Sequence, residues 1–289
     1  KASRRLPILP PARAVAAATA ATVAGPLQFS GKGMVYGLRY NHILPRSGEY
    51  SHRFIYGLDQ RAYDNTCALA GQPLCGAGGA DVTLRPASLS YLGQWDRPGN
   101  SSLMNLSLAS NLPGGKNGRQ SDFTANRLNA TEHYTIARAN LVHTSSFAGD
   151  WQVRVLGNAQ YTRDALVAGE QLGMAGSTAV RGFYERVVTA DKGFYATMEV
   201  YSPDLAPMVK ASGNLRVLGF YDFAAGSFNK TAPGVYSRAH IASAGLGLRY
   251  SLGQNASIKA DIARVTDGGP KDTATAGDWR GHVGLVIGF

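Results

Sequence analysis

Val283-Gly284-Leu285-Val286-Ile287-Gly288-Phe289 ends the chain, and its large apolar residues alternate with smaller ones. Successive side chains of a β-strand point to opposite faces. One face of such a strand would carry Val283, Leu285, Ile287 and Phe289, and the other would carry Gly284, Val286 and Gly288. The stretch therefore predicts a strand with one continuous apolar face and an aromatic carboxyl terminus.

The same period of two recurs through most of the sequence. Its clearest example is the stretch 151–161, in which Trp151 and Tyr161 stand at the two ends of an apolar row, opposite a row that includes Arg154 and Gln160. Alternating strands with aromatic residues at both ends are typical of transmembrane β-barrels. We therefore predict an all-β fold, an antiparallel β-barrel in the outer membrane of a Gram-negative bacterium. Phe289 is then the barrel-targeting terminus that the barrel assembly machinery would bind.

The connections between the predicted strands fall into two classes. Beyond the strands at 50–58 and 151–161, further strands are predicted near 82–95, 102–111, 131–143, 193–202, 215–224, 239–251, 256–266 and 280–289. The tight turns are 45–48, 97–100, 148–150 and 253–255, and the long loops are 64–80, 112–128, 163–191, 226–237 and 267–278. Short turns at one end of a barrel and long loops at the other are the outer-membrane arrangement. A soluble sandwich would not predict this asymmetry.

Composition excludes several other classes. No stretch reaches the 18 or more apolar residues of a transmembrane helix, and the charged fraction is only 17%. The net charge is +10, but Arg and Lys are scattered singly and no nucleic-acid motif accompanies them. We expect a cationic lumen or rim, with outer-membrane lipid rather than nucleic acid as the partner.

The two cysteines, Cys67 and Cys75, lie in one loop-like run. Two thiols in an exported chain favour a short disulfide-closed loop. The alternative is a metal site, for which two ligands without a nearby histidine are too few. No metal is therefore expected.

The first part of the sequence differs in character. Residues 1–13 are basic and proline-rich, and residues 14–25 are almost entirely Ala, Val and Thr. This resembles a poor signal peptide. We expect residues 1–32 to be a leader or unrelated disordered segment, and residues 33–289 to be the barrel domain.

The longest loop, residues 163–191, carries the most specific motifs. Glu170-Gln171 precedes Gly173 and Ala175-Gly176, and Val180-Arg181-Gly182-Phe183 follows. Glu199 and the strand motif Phe220-Tyr221-Asp222 come next, and five predicted strands separate the loop from Phe289. From about Gly33 onward this order resembles the transporters of two-partner secretion, the haemolysin-activator family within the outer-membrane assembly superfamily. Ala175-Gly176 stands where the family usually has Gly-Gly.

The resemblance implies a pairing for the arginine of the loop. In the family, the Arg of Val-Arg-Gly-Phe/Tyr pairs with the Asp of a Phe-x-Asp strand motif, which maps onto Arg181 and Asp222. An unpaired desolvated charge is costly, so a loop arginine inside a barrel needs such an acceptor. Gly182 would allow a tight turn, and Phe183 would pack on the barrel wall. The alternative is an ordinary external loop with a solvated arginine.

The resemblance also implies a function and a missing part. Family barrels have about 16 strands, whereas this chain has about 11–12 at roughly ten residues per strand. Members also carry a plug helix and two periplasmic capture domains, so we expect a truncated C-terminal part of such a barrel. The implied function is passage of one large unfolded exoprotein, a haemolysin or adhesin, to the cell surface without any cofactor.

Three other functions compete with secretion. A barrel-assembly factor would share both motifs, and a passive porin would share the barrel but have no use for them. An outer-membrane enzyme is the third alternative, and we do not expect one. The six histidines are isolated, and no nucleophile elbow, paired-carboxylate or His-Glu-x-x-His motif is present. We therefore predict no catalytic residues.

Overall fold

The computed structural model describes residues 12–22, 25–69, 72–73, 80–231, 234, 236–253, 255–270 and 273–288. Within these residues there is one short α-helix, and the rest of the regular structure is almost entirely β-strand. In chain order the elements are β1 Ala12–Thr22, β2 Gly25–Ile43, β3 Tyr50–Leu69, β4 Gln72–Pro73, β5 Val82–Leu84, β6 Pro86–Arg97, β7 Asn100–Asn111, α1 Gln120–Asn126, β8 Thr135–Ser146, β9 Gln152–Tyr161, β10 Leu172–Gly173, β11 Thr189–Ala190, β12 Lys192–Tyr201, β13 Asn214–Ser227, β14 Arg238–Leu252, β15 Ala256–Asp267 and β16 Trp279–Ile287. The predicted all-β class is confirmed.

The chain divides into two compact units. The first unit comprises residues up to Tyr40, Tyr56–Leu89 and Ala109–Thr135. The second comprises Asn41–Ile55, Ser90–Leu108 and the chain from Ile136 onward. Each unit is an antiparallel β-structure.

In the first unit β1 and β2 form an antiparallel pair, with Ala12 opposite Val35 and Thr22 opposite Gly25. The sequence predicts a leader or unrelated disordered segment over residues 1–32, and its separation from the barrel domain stays a prediction, but β1 and β2 have strand backbones from Ala12 onward. The pairing explains the difference, because backbone hydrogen bonds between two strands need no apolar alternation in the sequence. Residues 1–11 lie outside the described part.

The first unit also corrects two predicted loops. β3 continues into the predicted loop 64–80, where Ala68 pairs with Pro73 of β4. Helix α1 lies in the predicted loop 112–128, and the carboxylate of Asp122 accepts a hydrogen bond from the backbone N–H of Arg119 at its start. This capping pair, together with the buried side chain of Phe123, stabilises a helical turn that periodicity could not reveal. No helix in the described part of the chain is long and apolar enough to span a lipid bilayer.

In the second unit the strands follow one another as a meander. The pairs are β8 with β9, β9 with β12, β12 with β13, β13 with β14, β14 with β15, and β15 with β16, all antiparallel. Among the described residues of this unit, the strands outside this order are β10 and β11, which pair with each other within the loop between β9 and β12. This order matches the strands predicted from the alternating pattern.

The two faces of this sheet have opposite chemistry. On one face, called the outer face here, apolar side chains such as Leu246 (66% exposed) and Val283 (81% exposed) are open to the surroundings. On the other, the inner face, polar side chains such as Glu199 and Asp222 are buried. A water-soluble domain buries its apolar side chains, whereas a membrane barrel turns them towards lipid. The outer face therefore has the chemistry that a lipid-facing surface requires.

One connection of the second unit differs from the predicted tight turns. β12 and β13 are joined by residues 202–213, at the same end of the meander as the tight turns 148–150 and 253–255. This connection is nevertheless ordered, because the carboxylate of Asp204 accepts hydrogen bonds from the backbone N–H groups of Ala206 and Leu215. Tight turns are thus the rule at this end, with one longer folded exception.

Candidate functional site

The motif loop, residues 163–191, lies on the inner face of the second unit. Within the loop, β10 pairs with β11 through Leu172 with Ala190 and Gly173 with Thr189. Its apolar side chains form a core cluster with the inner sides of β13, β14 and β15, and the cluster comprises Met174, Ala175, Val180, Phe183, Val188, Ala190, Ala224, Ala239, Ile241 and Val265. The predicted packing residue Phe183 is 1% exposed. Burial of these side chains fixes the loop against the sheet.

Arg181 stands at the centre of the contact between loop and sheet. Its Nε donates to Oδ2 of Asp222 and its Nη2 donates to Oδ1 of Asp222, both at 2.8 Å. The backbone N–H of Arg181 also donates to Asp222, at 3.1 Å. Its Nη1 donates to Oε1 of Glu199 at 2.8 Å and lies 3.5 Å from Oδ1 of Asp261. The guanidinium lies 3.4 Å from the ring centroid of Phe220, which adds a cation–π contact.

The electrostatics of Arg181 follow from these contacts. The side chain is 3% exposed, and burial alone would lower the pKa of a guanidinium. The hydrogen bond with Asp222 and the charges of Asp222, Glu199 and Asp261 outweigh that effect and raise the pKa of Arg181. The arginine is therefore held in its charged form by paired carboxylates, as a buried cation requires.

The carboxylates are held in turn by a wider network on the inner face. Four further side chains contact them: Arg154, Tyr201, Arg249 and Lys259. Nη1 of Arg249 donates to Oδ1 of Asp261 at 2.8 Å, and the hydroxyl of Tyr201 donates to Oε2 of Glu199 at 2.7 Å. The sequence alone did not identify Asp261, Arg249 or the part played by Glu199. The available signal was the period of two, which puts these charges on the inner face of neighbouring strands.

Two residues after Val180 the backbone turns sharply at Gly182. Its φ is +95°, a region that glycine adopts without strain. The backbone N–H of Gly182 donates to Nε2 of His282 on β16 at 3.2 Å. The motif loop is thereby hydrogen-bonded to the last strand as well as to β12 and β13. In the sequence His282 is an isolated histidine, and no motif indicates this contact.

Glu170 and Gln171 lie at the other end of the loop and stabilise its own fold. The carboxylate of Glu170 accepts a hydrogen bond from Nη2 of Arg138 on β8 at 2.8 Å. Nε2 of Gln171 donates to the carbonyl of Leu166, and its Oε1 accepts from the hydroxyl of Thr189, at 3.0 and 2.9 Å. The Glu-Gln motif thus anchors the beginning of the loop to β8 and to the loop's own end.

The Ala175-Gly176 pair has a structural explanation. Gly176 has φ +125°, whereas Ala175 is not among the residues with positive φ. A methyl group on residue 176 would overlap the carboxylate of Glu185, which accepts a hydrogen bond from the backbone N–H of Ser177 at 2.7 Å. Glycine is therefore required at 176 but not at 175, so the departure from Gly-Gly does not disturb the loop.

Three predicted residues cannot be placed. Phe289 and Cys75 lie outside the described residues, and for Cys67 only the backbone is described. The predicted targeting terminus and disulfide therefore remain predictions. Among the described residues there is no group of His, Cys, Asp or Glu side chains that could hold a metal ion.

Comparisons with known proteins agree on the family and fold. The model of the haemolysin secretion/activation protein family ShlB/FhaC/HecB matches residues 15–250. CdiB from Escherichia coli superposes with a TM-score of 0.73 at 18% identity, over 94% of this chain and 48% of that structure. CdiB from Acinetobacter baumannii gives a TM-score of 0.69 at 16% identity, over 93% and 45%.

A third structure is more distant. BamA from Haemophilus ducreyi lacking POTRA domains 1-3 gives a TM-score of 0.56 at 13% identity, over 90% of this chain and 54% of that structure. The chain spans about half the length of the CdiB structures that it matches. No curated protein sequence matches it. At these identities the superpositions establish the fold, that of an outer-membrane β-barrel.

Proposed function

Since the chain belongs to the haemolysin secretion/activation protein family ShlB/FhaC/HecB, we propose that it carries one large unfolded exoprotein from the periplasm to the cell surface. The protein is an outer-membrane β-barrel of the two-partner secretion type. We infer a passenger of the haemolysin or adhesin class; the family name itself refers to the secretion or activation of haemolysins. Folding of the passenger outside the cell would draw it outward by removing unfolded chain from the near side.

The observation that carries this proposal is the attachment of the motif loop by Arg181. The loop occupies the inner face of the sheet, where a passenger would have to pass, and Arg181 holds it to Asp222 and Glu199. Removing one partner of a buried pair costs about 3–5 kcal/mol. We infer that the loop acts as a lock whose closed position depends on this pair.

The proposal is tested by deleting the gene in its native host and identifying the proteins of the medium and cell surface by mass spectrometry. We expect one large protein to disappear and to return when the wild-type gene is restored. Restoration with the Arg181→Ala gene should return less of the exported protein than wild type does. The deficit should exceed any decrease in the amount of the Arg181→Ala barrel in the outer-membrane fraction. The matched control is Arg238→Ala, because Arg238 is exposed at the start of β14.

Two outcomes would contradict the proposal. An unchanged set of exported proteins after deletion would exclude secretion. Loss of the Arg181→Ala protein from the outer membrane in proportion to lost secretion would leave Arg181 with a structural role only.

A further inference from the structure

A row of polar side chains without partners crosses three strands of the inner face. Asn140 of β8 lies directly opposite Asn158 of β9, and Asn158 lies directly opposite Tyr195 of β12. Within the described part of the chain, the side chains of these three residues make no hydrogen bond. Each is partly buried and borders one shared space.

That space is a pocket of about 380 Å³ between the row and the motif loop. The charged side chains that line it are already engaged. Arg138 pairs with Glu170 at 2.8 Å, Glu185 accepts from Ser177, and Nη2 of Arg186 donates to the carbonyls of Ala168 and Gln171. The free hydrogen-bonding capacity of the pocket therefore belongs mainly to neutral groups, which are the two amides, the phenol and the exposed hydroxyl of Thr178.

Neutral amides select a particular ligand chemistry. An asparagine side chain offers N–H donors and a carbonyl acceptor, which is the same pair of groups that a peptide bond presents. The charges of Arg138 and Glu170 offset one another, and Arg186 and Glu185 use their hydrogen bonds on the backbone of the motif loop, so a charged ligand would have to compete with contacts that the loop already makes. A purely apolar ligand would leave the amides without partners.

The geometry also suits a peptide backbone. Neighbouring strands lie about 4.8 Å apart, so a row across three strands spans about 10 Å. An extended chain advances about 3.3 Å per residue, and about three residues would cross the row. Hydrogen bonds to backbone groups do not depend on which side chains the bound polypeptide carries.

We propose that this pocket binds uncharged, extended polypeptide backbone through Asn140, Asn158 and Tyr195, and that it is a contact site for the exoprotein in transit. The second half of this statement rests on the proposed secretion function. Each neutral hydrogen bond changes the affinity by about tenfold at most, so the site binds weakly. Weak binding suits a site that a moving chain must leave.

The experiment measures fluorescence anisotropy of a labelled Gly-Ser repeat peptide with the full chain in detergent micelles. A second peptide carries N-methylglycine in place of each glycine, which removes those backbone N–H donors. We expect the wild-type chain to bind the Gly-Ser repeat about tenfold more tightly than the methylated peptide. The double variant Asn140→Leu/Asn158→Leu should bind the repeat about tenfold less tightly and should no longer distinguish the two peptides.

The control is Thr144→Val, a nearly isosteric change on the inner face of β8 outside the pocket, which should bind like wild type. On an SDS gel, a difference in migration between the unheated and the boiled sample of each variant verifies that the unheated variant is folded. Equal binding of both peptides by the wild-type chain would overturn the proposal, and so would unchanged affinity of a folded double variant. Tighter binding of a Lys-containing or Glu-containing repeat would overturn it as well, because charge would then dominate.

The secretion experiment separates the two proposals. If the double variant loses peptide binding but gene deletion changes no exported protein, the pocket is a peptide site and the secretion function is wrong. If deletion removes an exported protein but peptide binding does not depend on the asparagines, only the pocket proposal fails.

Discussion

At the scale of single residues, the site depends on how many contacts each carboxylate makes with Arg181. Asp222 is fully buried and accepts three hydrogen bonds from Arg181, including one from its backbone. Glu199 accepts one from Arg181 and has a second donor, Tyr201. The two carboxylates therefore contribute unequally to holding the loop.

We predict that Asp222→Asn destabilises the folded chain more than Glu199→Gln. The first change leaves the bidentate partner of a buried guanidinium uncharged, and loss of such a partner costs about 3–5 kcal/mol. The second removes one charge-assisted hydrogen bond, worth about 1.5–3 kcal/mol. Urea unfolding of the chain in lipid vesicles measures both values. A larger loss for Glu199→Gln would mean that Glu199 is the main partner.

A second prediction at this scale concerns the Ala175-Gly176 pair. Gly176→Ala should destabilise the motif loop by about 1–3 kcal/mol, because alanine is strained at φ +125°. Ala175→Gly should change stability by less than about 1 kcal/mol. Limited trypsin digestion reports the effect, since cleavage after Arg186 should become faster only in the Gly176 variant. Equal cleavage of the two variants would show that the backbone of residue 176 is not constrained.

The contacts of some of these residues could be predicted from the sequence, whereas those of others could not. Arg181 and Asp222 belong to motifs with a known order, so their contact could be proposed without coordinates. Asp261 and His282 belong to no motif, and their contacts depend on strand register, which a period of two does not determine. The juxtaposition of Asn140 and Asn158 depends on strand register in the same way. The period of two assigns each side chain to a face of the sheet. It does not specify which residues of neighbouring strands lie opposite each other.

At the scale of elements, the connections 148–150 and 202–213 are joined to one another. Nη2 of Arg216 donates to Oδ2 of Asp150 at 2.7 Å, and the backbone N–H of Asp204 donates to the same oxygen at 3.0 Å. The hydrogen bond from Arg216, then that from Asp204, hold the pKa of Asp150 below its ordinary value. These contacts explain why the longer connection is folded.

The pH dependence of this junction can be predicted. Because the folded pKa of Asp150 lies below its unfolded value of ~3.9, the contact stabilises the junction above that pH. Its contribution is lost as the pH falls through the folded pKa. Carboxyl carbon chemical shifts of labelled Asp in micelles should give a pKa that rises towards the ordinary value in Arg216→Gln. An identical titration in wild type and variant would exclude the pair.

At the scale of the whole molecule, alternation along each strand made the fold class predictable. Lipid requires one apolar face, and that requirement leaves a period of two in the sequence. The extension of β3 to Leu69 left no such trace, because its pairing with β4 rests on backbone hydrogen bonds, which need no apolar alternation. Helix α1 likewise depends on local capping at Asp122 and burial of Phe123, which the alternating pattern does not encode.

The last prediction concerns the exposed apolar side chains of the outer face. In a soluble protein, substitution of an exposed residue usually changes stability little, and here we expect the opposite. Leu246 is 66% exposed, and in a soluble protein its replacement would change stability by no more than about 0.5 kcal/mol. On a lipid-facing strand, Leu246→Arg should cost about 2–4 kcal/mol near the bilayer midplane. The matched control is Leu128→Arg, because Leu128 is 50% exposed in the long connection between β7 and β8. Urea unfolding from vesicles should separate the two variants, and equal stability would place Leu246 in water rather than in lipid.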